Sequence, residues 1–293
     1  MEKVKKQISF ILKIAVSLII LVFIYSKINF GMFTTNIKQL SLLTLVLLVI
    51  TAILKHITQG YNWYHALTIN PKYKPTTYDI IKSYMIGLSL GFVLPGGYAT
   101  YGKMYFIDNS KKATFVSVLI EKFFQTWGNL FFASLATIYY FRNIDLWIRL
   151  VIAVSVTFSP AILLGIIYFI PKYRVYLPTL RKIFPKIIIS QMIYIPLTVV
   201  QYWLILKSFT DITFLQSCIS TTLILSSNVI PITFSGLGLR EYFAIKVLAK
   251  YGITNTAAVT VALLIFVINL LLPALIGVVY IINHKRDKKH KTN

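Results

Sequence analysis

The sequence predicts an all-α polytopic integral membrane protein, with about six full spans and two re-entrant broken-helix hairpins in an inverted repeat. Three observations predict it. The 293 residues are 57% hydrophobic and only 13% charged, with a mean hydropathy of +0.74, which leaves too little polar surface for a soluble domain of this length. Six apolar stretches are long enough to cross a bilayer. Two more are equally apolar but are interrupted by Pro and Gly.

The first span, 8–26, follows the basic start "MEKVKKQ". No small-residue cleavage site comes after it, so it is expected to stay as a helix and not to be removed as a signal peptide. The second, 40–66, is interrupted by Lys55 and His56, which places its last turns at the interface. The first broken segment, "DIIKSYMIGLSLGFVLPGGYATYGKMYFI", runs from Asp79 to Ile107. Spans 114–140, 147–170 and 187–206 follow. The second broken segment extends from Ile212 to Gly252, and the last span is 256–282. The chain reads as one transmembrane domain, 1–293, with repeat motifs at 79–140 and 212–282.

Thirty Lys and Arg against eight acids give a formal charge of +22. Such a basic chain first suggests nucleic acid. The apolar runs between the charges decide instead for a membrane protein whose basic loops face anionic lipid, with no nucleic-acid partner. If each broken segment enters the membrane and returns, 19 Lys and Arg fall on the side of both termini and eight on the other. That asymmetry puts the termini in the cytoplasm and the chain in the cell membrane. Eight full crossings would also put both termini inside, but would move Lys103, Lys111 and Lys112 outward. Cys218 is alone, so there is no intrachain disulfide and no thiolate metal cluster.

The two broken segments look alike. "LGFVLPGGYATYGKMYFI" and "LSSNVIPITFSGLGLREYFAI" each pass from an apolar helix through Pro and Gly to a basic residue, an aromatic pair and Ile. Lys103 precedes Tyr105 and Phe106, and Arg240 precedes Tyr242 and Phe243. Pro95, Gly96 and Gly97 form the first structural break; Pro231, Gly236 and Gly238 form the second. Related segments entering from opposite faces make an inverted repeat, and broken helices in corresponding halves point to a transport site. Irregular backbone at membrane depth survives only where protein or water covers it, so both tips should line a cavity.

On these residues the chain resembles the transmembrane domain of bacterial lysylphosphatidylglycerol synthases, a flippase-like integral membrane family that also occurs in stand-alone form without the synthase domain. The family's second motif is similar to P-x-T-x-x-G-G-x-G-x-R-E, matched here by Pro231, Thr233, Gly236, Gly238, Arg240 and Glu241. Gly252 and Ala257–Ala258 follow in the expected rhythm. The first motif resembles P-x-x-x-G-E-x-x-R; Pro95 matches, Lys103 is a conservative match, and Ala99 and Thr100 replace Gly and Glu. Glu121–Lys122 stands for the family's Glu-Arg, and Phe266 for an Arg common in its last helix. The resemblance implies translocation of an anionic lipid between leaflets, the lipid being a phospholipid or a polyprenyl-phosphate-linked glycan. It equally allows a non-transporting partner of a cell-envelope glycosyltransferase or synthase.

Arg240, Glu241, Lys103, Glu121 and Lys122 are the candidate substrate-binding residues. Arg240 and Glu241 open a short helix, whose free N–H groups and positive dipole end favour an anionic headgroup. They could equally cap that helix and pair at the interface. Glu121 shares a helical face with Gln125 and Gly128, a polar stripe toward the bundle interior. A second reading makes it an interfacial charge, with Lys122 extending to the headgroups. Lys103 is either a phosphate contact or a marker of the cytoplasmic side. His56 and His65 lack acids or Cys at ligand spacing, which suits interfacial histidines, and no metal or cofactor is expected. A membrane-embedded glycosyltransferase or lipid-modifying enzyme is the rival reading, but the first outer loop, "SKINFGMFTTNIKQL", has no acid and the next, "FRNIDLW", has only Asp145, no Walker, H-E-x-x-H or G-x-S-x-G pattern occurs, and the chain is not expected to be an enzyme.

Overall fold

The computed structural model describes residues 30–92, 95–233 and 236–290. The expected span 8–26 lies outside them. Besides a four-residue helix at Pro171–Arg174, ten α-helices carry the described fold: α1 (Phe30–Lys38), α2 (Leu42–Leu67), α3 (Thr77–Leu90), α4 (Lys111–Tyr140), α5 (Leu146–Phe169), α6 (Leu177–Lys207), α7 (Phe214–Ser226), α8 (Leu239–Leu248), α9 (Asn255–Phe266) and α10 (Leu272–His290). A 3₁₀ segment, Pro95–Phe106, separates α3 from α4, and a π-helical turn, Val267–Leu271, joins α9 to α10. Among the described residues, four stretches are long and apolar enough to cross a membrane: Leu42–Leu67, Leu146–Phe169, Leu177–Lys207 and Asn255–Asn283. The protein is an all-helical membrane protein. Helix α4 is as long, at 30 residues, but carries Lys111, Lys112, Glu121 and Lys122 and is not among the four.

Two helices depart from the sequence pattern. α2 is not interrupted at Lys55 and His56: it is one 26-residue helix, and Lys55 is 3% exposed. Its ammonium turns inward, donating to Gln201 Oε1 (3.2 Å) and lying over the Tyr194 ring (4.9 Å), so no interface is needed to hold the charge. α6 begins ten residues before the expected 187. Pro178 falls in its first turn, where a missing N–H costs nothing, and Pro185 and Pro196 are carried inside the helix.

The leading helices of the two broken segments start in the same way. Thr76 Oγ1 accepts from Asp79 N (3.1 Å) while Asp79 Oδ2 accepts from Thr76 N (3.3 Å). Thr213 and Gln216 make the same reciprocal pair at α7, at 3.2 and 2.9 Å. Each box satisfies two backbone donors that the first helical turn leaves open. The boxes are 137 positions apart, and so are Ser83 and Ser220, Ser89 and Ser226, Lys103 and Arg240, and Tyr105 and Tyr242. One register therefore runs through both segments.

Packing relates the segments reciprocally: α3 lies on α10, and α7 lies on α4. The first contact is close. Ser89 Oγ donates to Ala274 O (2.5 Å), and a Cβ on Gly277 would stand 2.1 Å from Met85 O. The helices before the two segments, α2 and α6, run antiparallel. Leu48 O and Lys55 both meet Gln201, whereas Thr58 O, further along α2, accepts from Ser190, earlier in α6. At one end, Asn70 donates to Asn109 Oδ1 (2.6 Å), joining the end of α2 to the start of α4. At the other end of α4, Tyr140 OH donates to Val247 O (3.2 Å) and Tyr140 O accepts from Lys250 Nζ (2.5 Å), joining it to the end of α8.

Candidate polar cavity between the two breaks

A cavity of about 370 Å³ opens where the two breaks converge. Helix α2 contributes Lys55, His56 and Gln59, α3 contributes Tyr84 and Gly87, and α6 contributes Tyr194 and Thr198. From the first break come Thr100, Tyr101 and Lys103, and from α4 Glu121, Lys122, Gln125 and Asn129. From the second come Asn228, Pro231, Thr233, Gly236 and Arg240, and from the last span Asn269. Among the described residues, four Lys and Arg side chains and one carboxylate therefore line one cavity.

Lys103 sits on the 3₁₀ segment and is 1% exposed. It forms an ion pair with Glu121 of α4, itself 2% exposed. Its ammonium also lies 3.5 Å from the centroid of the Trp63 ring, and Trp63 is fixed by donating to Ser83 Oγ (2.8 Å). Gly87 makes the approach possible, since a Cβ there would stand 2.9 Å from Lys103 Cδ. Lys103 is thus held by three helices at once. Glu121 is buried and paired, not placed at the interface, and its countercharge is Lys103 from the neighbouring break, while Lys122 donates to Gln125 Oε1 (3.3 Å).

The second break is built differently. Gly236 and Gly238 hold φ of 79° and 88°, the left-handed region that residues with a Cβ avoid. This turn delivers Arg240 into the first turn of α8, 5% exposed, with Nη2 donating to Asn228 Oδ1 (3.0 Å). Glu241 does not line the cavity. Its Oε2 accepts from Gly238 N (2.5 Å) and closes the glycine turn behind Arg240, while Asn228 accepts from the guanidinium within the cavity. Pro231 and Gly236 line the cavity; Pro95, Gly96 and Gly97 open the 3₁₀ segment.

Residues 10–277 match the family described as the lysylphosphatidylglycerol synthase TM region. The chain belongs to this family. Among curated proteins, none matches the chain. The match covers both breaks and every residue lining the cavity, so the cavity lies wholly within the part of the chain that makes it a lysylphosphatidylglycerol synthase TM-region protein.

Sequence reasoning passed over Lys55 and the polar ladder behind it. Gln201 Nε2 donates to Asn269 Oδ1 (3.2 Å), and Asn269 Nδ2 donates back to Gln201 Oε1 (2.8 Å), where Lys55 also donates. Asn269 sits in the π-helical turn, a local irregularity that frequently accompanies functional sites. The signal was present: Gln201 and Asn269 are lone polar residues in apolar runs and Lys55 is a charge inside one, and such residues in a membrane span face the interior of the bundle.

Proposed function

We propose that the protein moves an anionic lipid between the leaflets of the cell membrane, with its phosphate entering the cavity while its acyl chains stay in lipid. The lipid is a phospholipid or a polyprenyl-phosphate-linked glycan. The observation that carries this reading is the convergence of both breaks on one buried cavity lined by Lys55, Lys103, Lys122 and Arg240. A phosphate between them would be bound by charge from both halves of the chain. Arg240 can grip it with two parallel hydrogen bonds and is the principal contact. Lys103 would join when the Glu121 pair opens, and Glu121 then holds a proton or a countercharge.

The same reading takes α3 with the 3₁₀ segment, and α7 with α8, as hairpins that enter and leave by the same face. The Asn70–Asn109 bond supports it by tying the return of the first hairpin to the end where it begins, and the Tyr140–Val247 bond by tying the return of the second to the far end of α4. Antiparallel α2 and α6 put those ends on opposite sides. In a Cys218→Ser background, single cysteines at Lys74 and Asp211, which precede the two hairpins, will then react with an impermeant reagent from opposite faces. Labelling of both from one face would mean that the first hairpin crosses fully.

Transport itself is read in vesicles by the rate at which a labelled anionic phospholipid changes leaflet. Wild-type protein will accelerate it; Arg240→Ala will slow it at least about a hundredfold, and Arg240→Lys about tenfold, the charge remaining without the two-pronged geometry. Equal rates for wild type and Arg240→Ala, with both folded, would sink the transport reading. Turnover of a polyprenyl-phosphate sugar donor by the purified protein, abolished by Asp145→Asn, would put an enzyme in its place.

A further inference from the structure

We infer that the cavity is built for a phosphate carrying at least two negative charges, a phosphomonoester or a diphosphate, in preference to a singly charged phosphodiester. The inference rests on the reading of the cavity as an anion site and adds to it the valence of the anion. The argument is a charge balance over the lining. Lys103 is neutralised by Glu121. Lys55 and Lys122 also line the volume beside Arg240, and the partners seen for these two lysines are neutral: Gln201 and the Tyr194 ring, and Gln125. Among the described residues, Glu121 is the one acid in the lining.

Glu241 lies behind Arg240 with its carboxylate on Gly238 N. Even if its charge is set against Arg240, Lys55 and Lys122 leave two positive charges. Lys55 is almost wholly buried and lies near enough to Arg240 to feel it as a like charge. Burying cations beside one another is unfavourable unless an anion compensates them. A phosphodiester supplies one negative charge and would leave one cation uncompensated. A phosphomonoester or diphosphate supplies two or more and closes the balance. The chemistry is the same for a lipid bearing the group and for a free diphosphate.

The test uses full-length protein in nanodiscs of phosphatidylcholine. The probes are short-chain phosphatidic acid, a phosphomonoester, and phosphatidylglycerol with the same chains, a phosphodiester. Inorganic pyrophosphate serves as a soluble competitor. At pH 8 phosphatidic acid is expected to bind at least about tenfold more tightly than phosphatidylglycerol. The preference should shrink to under about threefold at pH 5.5, below the second phosphate pKa of about 6. Lys55→Gln, which keeps a hydrogen-bonding side chain, and Lys122→Gln, at a half-buried position, should each cut the pH 8 preference several-fold. Equal affinity for the two lipids at pH 8 overturns the inference while leaving lipid transport standing. Failure of both lipids and of pyrophosphate to bind overturns the inference and the transport reading together. Pyrophosphate binding as tight as that of phosphatidic acid supports the valence and moves the ligand from the membrane to solution.

Discussion

The two breaks share a register of 137 residues yet hold their basic residues in opposite ways. At the first, Lys103 is locked by the Glu121 carboxylate, the Trp63 ring and the packing space left by Gly87. At the second, Arg240 donates to the neutral Asn228, and the Glu241 carboxylate accepts from the backbone of Gly238. The first break pairs its cation with a carboxylate from the next helix; the second turns the adjacent carboxylate to the backbone. A repeat can thus preserve the position of a cation while changing the groups that hold it.

The strongest way to break this comparison is at the ion pair. Glu121→Gln leaves Lys103 buried without its countercharge, a loss of about 3–5 kcal/mol, visible as a large fall in the thermal midpoint of the detergent-solubilised protein. Glu121→Gln combined with Lys103→Met removes both charges and should restore most of that stability. A single variant as stable as wild type would show that the first break is not a structural lock.

Gly236→Ala comes next. A Cβ at φ 79° costs about 1–2 kcal/mol and would stand 3.2 Å from both Arg240 Nη2 and Asn228 Oδ1. Phospholipid exchange between leaflets should fall with it by more than the loss of folded protein explains. Asn228→Ala sharpens the contrast: about 1.5 kcal/mol in stability, from the lost bond to a charged group, but a clear drop in phosphatidic acid affinity as Arg240 loses its orientation. If Asn228→Ala destabilises as much as Glu121→Gln, the two breaks are alike after all. The smallest effect is expected at Asn269→Leu. Polar bonds between membrane helices average about 0.6 kcal/mol, so thermal stability should barely move while binding weakens through Lys55, whose acceptor Gln201 is held by Asn269.

Hydropathy alone located α2, α4, α5, α6 and the last helical stretch, because a bilayer requires long apolar runs and the chain spells them out. Pro, Gly and the paired aromatics likewise marked both breaks, since backbone that cannot stay helical is visible in local composition. Arg240 and Lys103 were legible as counterparts for the same reason.

Partners were not legible. Glu121 could be read as interfacial because it lies near one end of its helix, and only the fold shows Lys103 reaching it from the 3₁₀ segment. The adjacency of Arg240 and Glu241 in sequence suggested that they pair. In the structure the left-handed turn at Gly236 and Gly238 points the carboxylate back to the backbone, while the guanidinium donates to Asn228, 12 residues earlier. Lys55 looked like a place where α2 surfaced, yet it is buried because Gln201, 146 residues away, supplies an acceptor. Composition determined that this chain lives in a membrane and where its helices break, because the solvent acts on each segment separately. Which partner each charge meets was decided by tertiary structure, because a charge is neutralised only by what reaches it across a few ångströms.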